Sequence, residues 1–162
     1  MTVLDILAAP SAAEYRALLA FLAERAASFS LVWRSDGNYE PSADIIRGRL
    51  TPYLLRTEGT ARWPGTQYFG GLATVRHYAT TPAAIAVLAE PGDLYAWRSL
   101  DRPEDLAFYD STGAVLFGSI AHEQDSWFEL GTLSEVEVRA ALPSLRLRRR
   151  ASPASPATPN ER

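Results

Sequence analysis

The chain has 162 residues, 47% of them hydrophobic and 22% charged, with four Trp, seven Tyr and six Phe, and a formal net charge of −3. That is enough apolar material for one domain with its own core, too little length to expect two, and it excludes global disorder. There is no cysteine, which excludes disulfides, thiol catalysis and cysteine-ligated metal or iron–sulfur centres.

No window of about 18 apolar residues occurs, so no membrane-spanning helix is expected. The opening "MTVLDILAAPSAAEY" carries Asp5, lacks a basic start and is interrupted by Pro10, which makes it a poor secretory signal. The expected location is cytoplasmic. All sixteen basic residues are Arg. Residues 143–162 hold five Arg and one Glu, a balance of +4, whereas residues 1–142 hold eleven Arg and eighteen acids, a balance of −7. Such an acidic body is a poor nucleic-acid surface, because phosphate contacts need clustered cations.

The first expected element is a helix over "PSAAEYRALLAFLAERAA", with Ser11 and Glu14 as a capping box and Tyr15, Leu18, Leu19, Leu22 and Ala26 as one buried stripe. "SFSLVWRS" alternates Phe29, Leu31 and Trp33 onto one face, which predicts a strand. "EPSADIIRGRLTPYLL" predicts a second helix, capped by Ser42, burying Ile45, Ile46 and Leu50 and ending before Pro52. "YLLRTEGTARW" reads as a strand entering a turn at Pro64-Gly65, and "GLATVRHYATT" as another, with Val75, His77 and Ala79 on one face. "TTPAAIAVLAEPG" is a short helix capped by Thr81. "DLYAWRSLDRPED" is irregular or a single helical turn. "DLAFYDSTGAVLFGSIAHEQDSWFEL" gives two or three antiparallel strands, and "TLSEVEVRAALP" a closing helix capped by Thr132 or Ser134.

The fold class this predicts is α+β, a mostly antiparallel sheet with helices packed on one face. Residues 1–142 form the single domain. Residues 143–162 are an Arg/Pro/Ser-rich tail, with Pro153, Pro156 and Pro159 recurring every third residue, and are expected to be disordered after about residue 150. The cluster Arg146, Arg148, Arg149 and Arg150 could bind nucleic acid or anionic lipid, pair with the acidic body, or solubilise the end.

Three pieces together, "SFSLVWR", "WPGTQ…ATVRHY" and "PEDLAFYDSTGAVLFGSIAHEQDSWFEL", resemble a family of small, uncharacterised bacterial proteins, some labelled stage III sporulation protein of the AH type. The resemblance spans roughly residues 14–130 and implies no established activity. That label implies a membrane anchor, which this sequence lacks, so the sporulation role is not carried over. The last piece is also similar to intracellular immunity domains of the SMI1/KNR4 type, which implies an α+β scaffold that binds a partner protein.

Candidate chemistry begins at "GSIAHEQDSWFEL". His122 suits acid–base work near neutral pH, and Glu123 or Asp125 could orient it. Ser119 would complete a Ser–His–Asp set, but triads assemble in space rather than in sequence and no G-x-S-x-G elbow is present. The same polar stretch between two apolar strands is also what a hairpin turn needs. His77 and His122 are the two histidines. With a nearby carboxylate they could hold a metal if the fold brought them together, yet no metal-ligand spacing is present and His77 also reads as a core or edge residue. Asp101, Glu104, Asp105 and Asp110 read as a solvated acidic loop. Trp63, Tyr68 and Phe69 of "ARWPGTQYFGG" would be binding hot spots if exposed and a plug of the core if buried, and burial is expected.

The function expected from these readings is a non-enzymatic cytoplasmic protein-binding module, immunity-like or regulatory, with His122, Glu123, Asp125, Trp127, Trp63 and Tyr68 as binding residues. Its expected partner is another protein with a basic surface. Neither a cofactor nor a metal is expected. The alternative is a small hydrolase or metal-dependent enzyme using the two histidines and a carboxylate.

Overall fold

The computed structural model describes residues 1–151. The chain runs β1 (Thr2–Ile6), α1 (Ala12–Ala23), β2 (Ser28–Trp33), α2 (Pro41–Leu50), β3 (Leu54–Thr60), β4 (Arg62–Trp63), β5 (Thr66–Gln67), β6 (Ala73–Ala79), α3 (Pro82–Ala89), β7 (Glu104–Tyr109), β8 (Val115–Ile120), β9 (Asp125–Leu130), α4 (Glu135–Ala141) and β10 (Leu147–Arg149). Eight strands form one antiparallel sheet in the order β10-β1-β9-β8-β7-β2-β6-β3, and β4 and β5 form a separate hairpin. The fold is α+β, as the alternation of helical and strand periods indicated.

Two clusters of buried residues separate the faces of the sheet. The larger contains Phe29, Leu31 and Trp33 of β2, Leu106 and Phe108 of β7, Phe117, Phe128 and Tyr78, together with residues of α1, α2, α3 and α4. The smaller, on the opposite face, contains Val32, Ala73, Val75 and Trp63, with Tyr68 against them. The alternation of β2 thus sends Leu31 to the helices and Val32 to the other side. Among the described residues the helices cover one face only. The hairpin β4–β5 is what lies on the other.

The capping box of α1 is made: Ser11 Oγ accepts from the Glu14 N–H, and Glu14 Oε1 accepts from the Ser11 N–H. Its stripe is buried, and the Trp97 indole N–H donates to Tyr15 Oη at 2.9 Å inside the core. Thr81 caps α3 and Ser134 caps α4. The expectation for α2 needs correction. Its N-cap is Glu40, and the Ser42 hydroxyl instead donates to the Asp101 carbonyl at 2.9 Å. Ala43 and Leu50 are its buried residues, while Ile45 is 63% exposed.

Two further corrections concern the sheet. The segment read only as a poor signal forms β1, with Leu4 and Ile6 buried. Residues 143–150 do not begin a separate tail: β10 pairs with β1, Leu145 is buried, and Arg149 and Arg150 pair with Glu135 and Asp5. Part of the arginine cluster therefore serves the acidic body, one of the roles its composition allowed. The disorder expected beyond residue 150 falls on residues 152–162, outside the described residues. No helix among the described residues is long and apolar enough to cross a membrane.

Candidate functional site

The helix-free face of the sheet carries the hairpin as an arm. Pro64 and Gly65 make its turn, Pro supplying its fixed φ and Gly a φ of +79°. A Cβ on Gly65 would stand 2.4 Å from the Trp127 ring and 3.0 Å from Ile120, so the tip of the arm rests backbone-down on β8 and β9. Trp127 in turn lies flat across Gly118, where a Cβ would meet the indole at 2.4 Å. Just before the turn, Trp63 fixes the arm from the side: its indole N–H donates to Asp105 Oδ2 at 2.8 Å. Tyr68 stacks at a tilt against Trp63, with centroids 5.7 Å apart.

This anchor corrects the reading of the acidic stretch. Glu104 and Asp105 are buried, 5% and 4% exposed, rather than solvated. Asp105 Oδ1 accepts from the Ala121 N–H at 3.0 Å while Oδ2 holds Trp63, and its backbone sits at a φ of +55°. Burial pushes its pKa above the ordinary carboxylate value, against those two hydrogen bonds. Glu104 pairs with Arg34 at 3.0 Å and accepts from the Ser99 N–H at 3.2 Å. Asp110 behaves as expected of a turn: its carboxylate accepts from the Thr112 and Ala114 N–H groups, and the Thr112 hydroxyl holds its pKa low.

Between the arm and the sheet lies a cleft of ≈ 290 Å³. Its walls include Arg56 and Glu58 of β3, His77 of β6, Tyr109 of β7, and Arg62 and Trp63 of the arm. His77 is 5% exposed. Its Nε2 lies 3.3 Å from Glu58 Oε2 but out of line for a hydrogen bond, so the nitrogen has no well-formed hydrogen bond. Tyr109 sits beside the ring, centroids 5.2 Å apart, and its hydroxyl bonds Ser30 Oγ at 2.9 Å. Burial first, and then the guanidinium of Arg56, lower the His77 pKa from its ordinary value, with Glu58 pulling the other way. The ring is therefore held neutral near neutral pH.

The residues singled out from sequence are spread over this face and its rim. His122 and Glu123 occupy an exposed single turn of 3-10 helix between β8 and β9, 3.6 Å apart, and Asp125 starts β9 half-buried. The stretch "HEQD" is thus a tight strand connection, with Gln124 left-handed at a φ of +54°. Ser119 is buried and donates to the Leu106 carbonyl at 2.8 Å, away from His122. Trp63 and Trp127 are buried beneath and beside the arm, and Tyr68 is half-buried, so these aromatics build the arm's seat. His77 and His122 belong to different neighbourhoods: the first faces Glu58, Arg56 and Tyr109, and the second faces Glu123. Among the described residues no group of three or more His, Asp or Glu is arranged to hold a metal ion. Glu58, Arg56, Arg62 and Tyr109 were not singled out. The alternation of β6 placed His77 with Val75, but the three elements that meet it come from distant parts of the chain.

A scan against protein-family models found no match, and searches of curated proteins and of solved structures found no significant similarity either.

Proposed function

We propose that the protein is a non-catalytic module that binds another protein on the helix-free face of its sheet, with the cleft under the β4–β5 arm receiving a side chain of the partner. The observation that carries this reading is His77 Nε2, a 95%-buried imidazole's nitrogen with no well-formed hydrogen bond, at the wall of a cleft. A buried polar atom left unpaired costs free energy that an incoming polar group can recover. A neutral imidazole beside the Glu58 carboxylate suits a donor, such as a basic side chain. The described residues carry fifteen Arg and eighteen acids, a balance of −3, so a basic partner surface is also favoured in the encounter. This is the role the immunity-domain resemblance implies, in a regulatory or immunity-like setting. The absence of cysteine suits a reducing cytoplasm.

Affinity capture from lysate with four forms of the protein tests the assignment. His77→Phe and Arg62→Glu alter the cleft; Glu123→Ala and Asp125→Ala alter the β8–β9 turn. A partner lost with the cleft variants and kept with the turn variants, and shifting the amide resonances of Glu58, His77 and Tyr109 when titrated into labelled protein, supports the cleft. Capture that depends only on the turn, or is the same for all forms, overturns it.

A further inference from the structure

The two ends of the sheet are built differently. One ends in β10, three residues long and followed by Arg150, with Arg148 and Arg149 within it. An edge strand this short offers a second copy few backbone groups to pair with. The other ends in β3, seven residues long, which pairs only with β6 among the described residues. Thr57 on this edge is exposed, Leu55 is 60% exposed, and the nearby Leu72 and Phe69 are 63% and 90% exposed.

We infer that β3 is a self-association edge, on which two copies pair antiparallel about a two-fold axis through Thr57, joining two eight-stranded sheets into one. The register follows from parity and charge. A two-fold antiparallel pair must centre on a residue, because outward and inward backbone groups alternate along the strand. Centring on Arg56 sets Arg against Arg, and centring on Glu58 sets Glu against Glu; like charges directly opposite are unfavourable. Centring on Thr57 sets Thr against Thr, a favoured cross-strand pair, and places each Arg56 opposite Glu58 of the second copy.

Those two side chains share a face. Arg56 pairs in register with His77 and Glu58 with Val75, both of which line the cleft. Within one chain Arg56 already pairs with Glu58 along the strand, so the axis gathers an alternating cluster of two cations and two anions. Beyond that ladder, Leu55, the extra residue of a bulge between Leu54 and Arg56, comes level with Gly59 of the second copy. In each chain a Cβ on Gly59 would lie 3.8 Å from Leu72, so the side-chain gap at Gly59 is floored by an exposed leucine that Leu55 of the other copy can meet. The interface is isologous, as a closed dimer requires. It leaves both helix layers on one side and both clefts on the other.

Light scattering behind size exclusion, with sedimentation equilibrium on the purified full chain, tests this independently of any partner protein. The wild type is expected to show twice the 17.8 kDa chain mass. Arg56→Glu, Glu58→Arg and Thr57→Arg are each expected to give monomer, the last by setting two arginines head-on at an exposed position whose change the fold tolerates. The double exchange Arg56→Glu with Glu58→Arg is expected to restore the dimer. Circular dichroism confirms that each variant is folded. A wild type that stays monomeric to millimolar concentration overturns the proposal. A dimer indifferent to all three single changes overturns the assigned edge, and a double exchange that fails to restore mass overturns the assigned register.

Discussion

His77 is a base kept from charging. Burial and Arg56 both oppose its protonation, and Glu58 only partly offsets them. The unfolded chain has no such constraint and takes up the proton near the ordinary imidazole value of 6.5. As pH falls through that value the unfolded state binds more protons than the folded one, so stability drops with falling pH. Above it both states are neutral and His77 contributes no slope. Urea unfolding of the wild type between about pH 7.5 and about pH 5.5 is expected to show this decline, and His77→Gln to flatten that part of it. A variant with an unchanged slope would show that His77 charges freely in the folded protein. Asp105 contributes the opposite sign in a more acid window. Its raised pKa lets the folded state keep a proton that the unfolded state has released, so its contribution to stability falls as pH rises above the ordinary carboxylate value of 3.8.

The β4–β5 arm is an element held by two contacts at its turn. Trp63 is tied to Asp105, and Gly65 sits on Trp127 and Ile120. Gly65→Ala introduces a side chain at a positive φ and drives its Cβ into an indole, so it is expected to cost about 1–3 kcal/mol. Thermal denaturation measures the loss, and a shift in tryptophan fluorescence reports the arm lifting from Trp127. An alanine variant with wild-type melting would show that the arm does not rest there. What the sequence revealed of the elements follows how local their causes are. The capping box of α1 and the alternation of β2 are written within a few residues, and both form as read. Strand β1 is five residues long and its partners lie more than a hundred positions away, so no local pattern announces it. In β10 the arginine run hides a strand whose charges are taken up by Glu135 and Asp5. Ser42 looked like a cap because nothing nearby showed that its hydroxyl would find the Asp101 carbonyl. The site was legible only as single residues: His77 could be placed on a face, but Glu58, Tyr109 and the arm above it could not.

At the scale of the whole molecule, the sheet is closed by its last described segment. Leu145 is buried, Leu147 packs against the core, and the Arg150 N–H donates to the Val3 carbonyl at 2.8 Å. Ending the chain after Leu142 removes all of these and leaves β1 as a bare edge. Each buried leucine is worth about 1.5–3 kcal/mol, so that truncation is expected to lose about 3 kcal/mol or more relative to a chain ending after Ala151. Chemical denaturation of the two forms compares them directly, and equal midpoints would show that β10 contributes nothing. The position of β1 has a further consequence, in time rather than in energy. The strand nearest the start of the chain lies between β9 and β10, the two that come last. The β7–β8 and β8–β9 hairpins can close over short loops, but β1 must wait for the rest of the sheet. Its capture is a closure over most of the chain, and such long-range pairings slow folding at a given stability. Until then its apolar residues stay open to other chains.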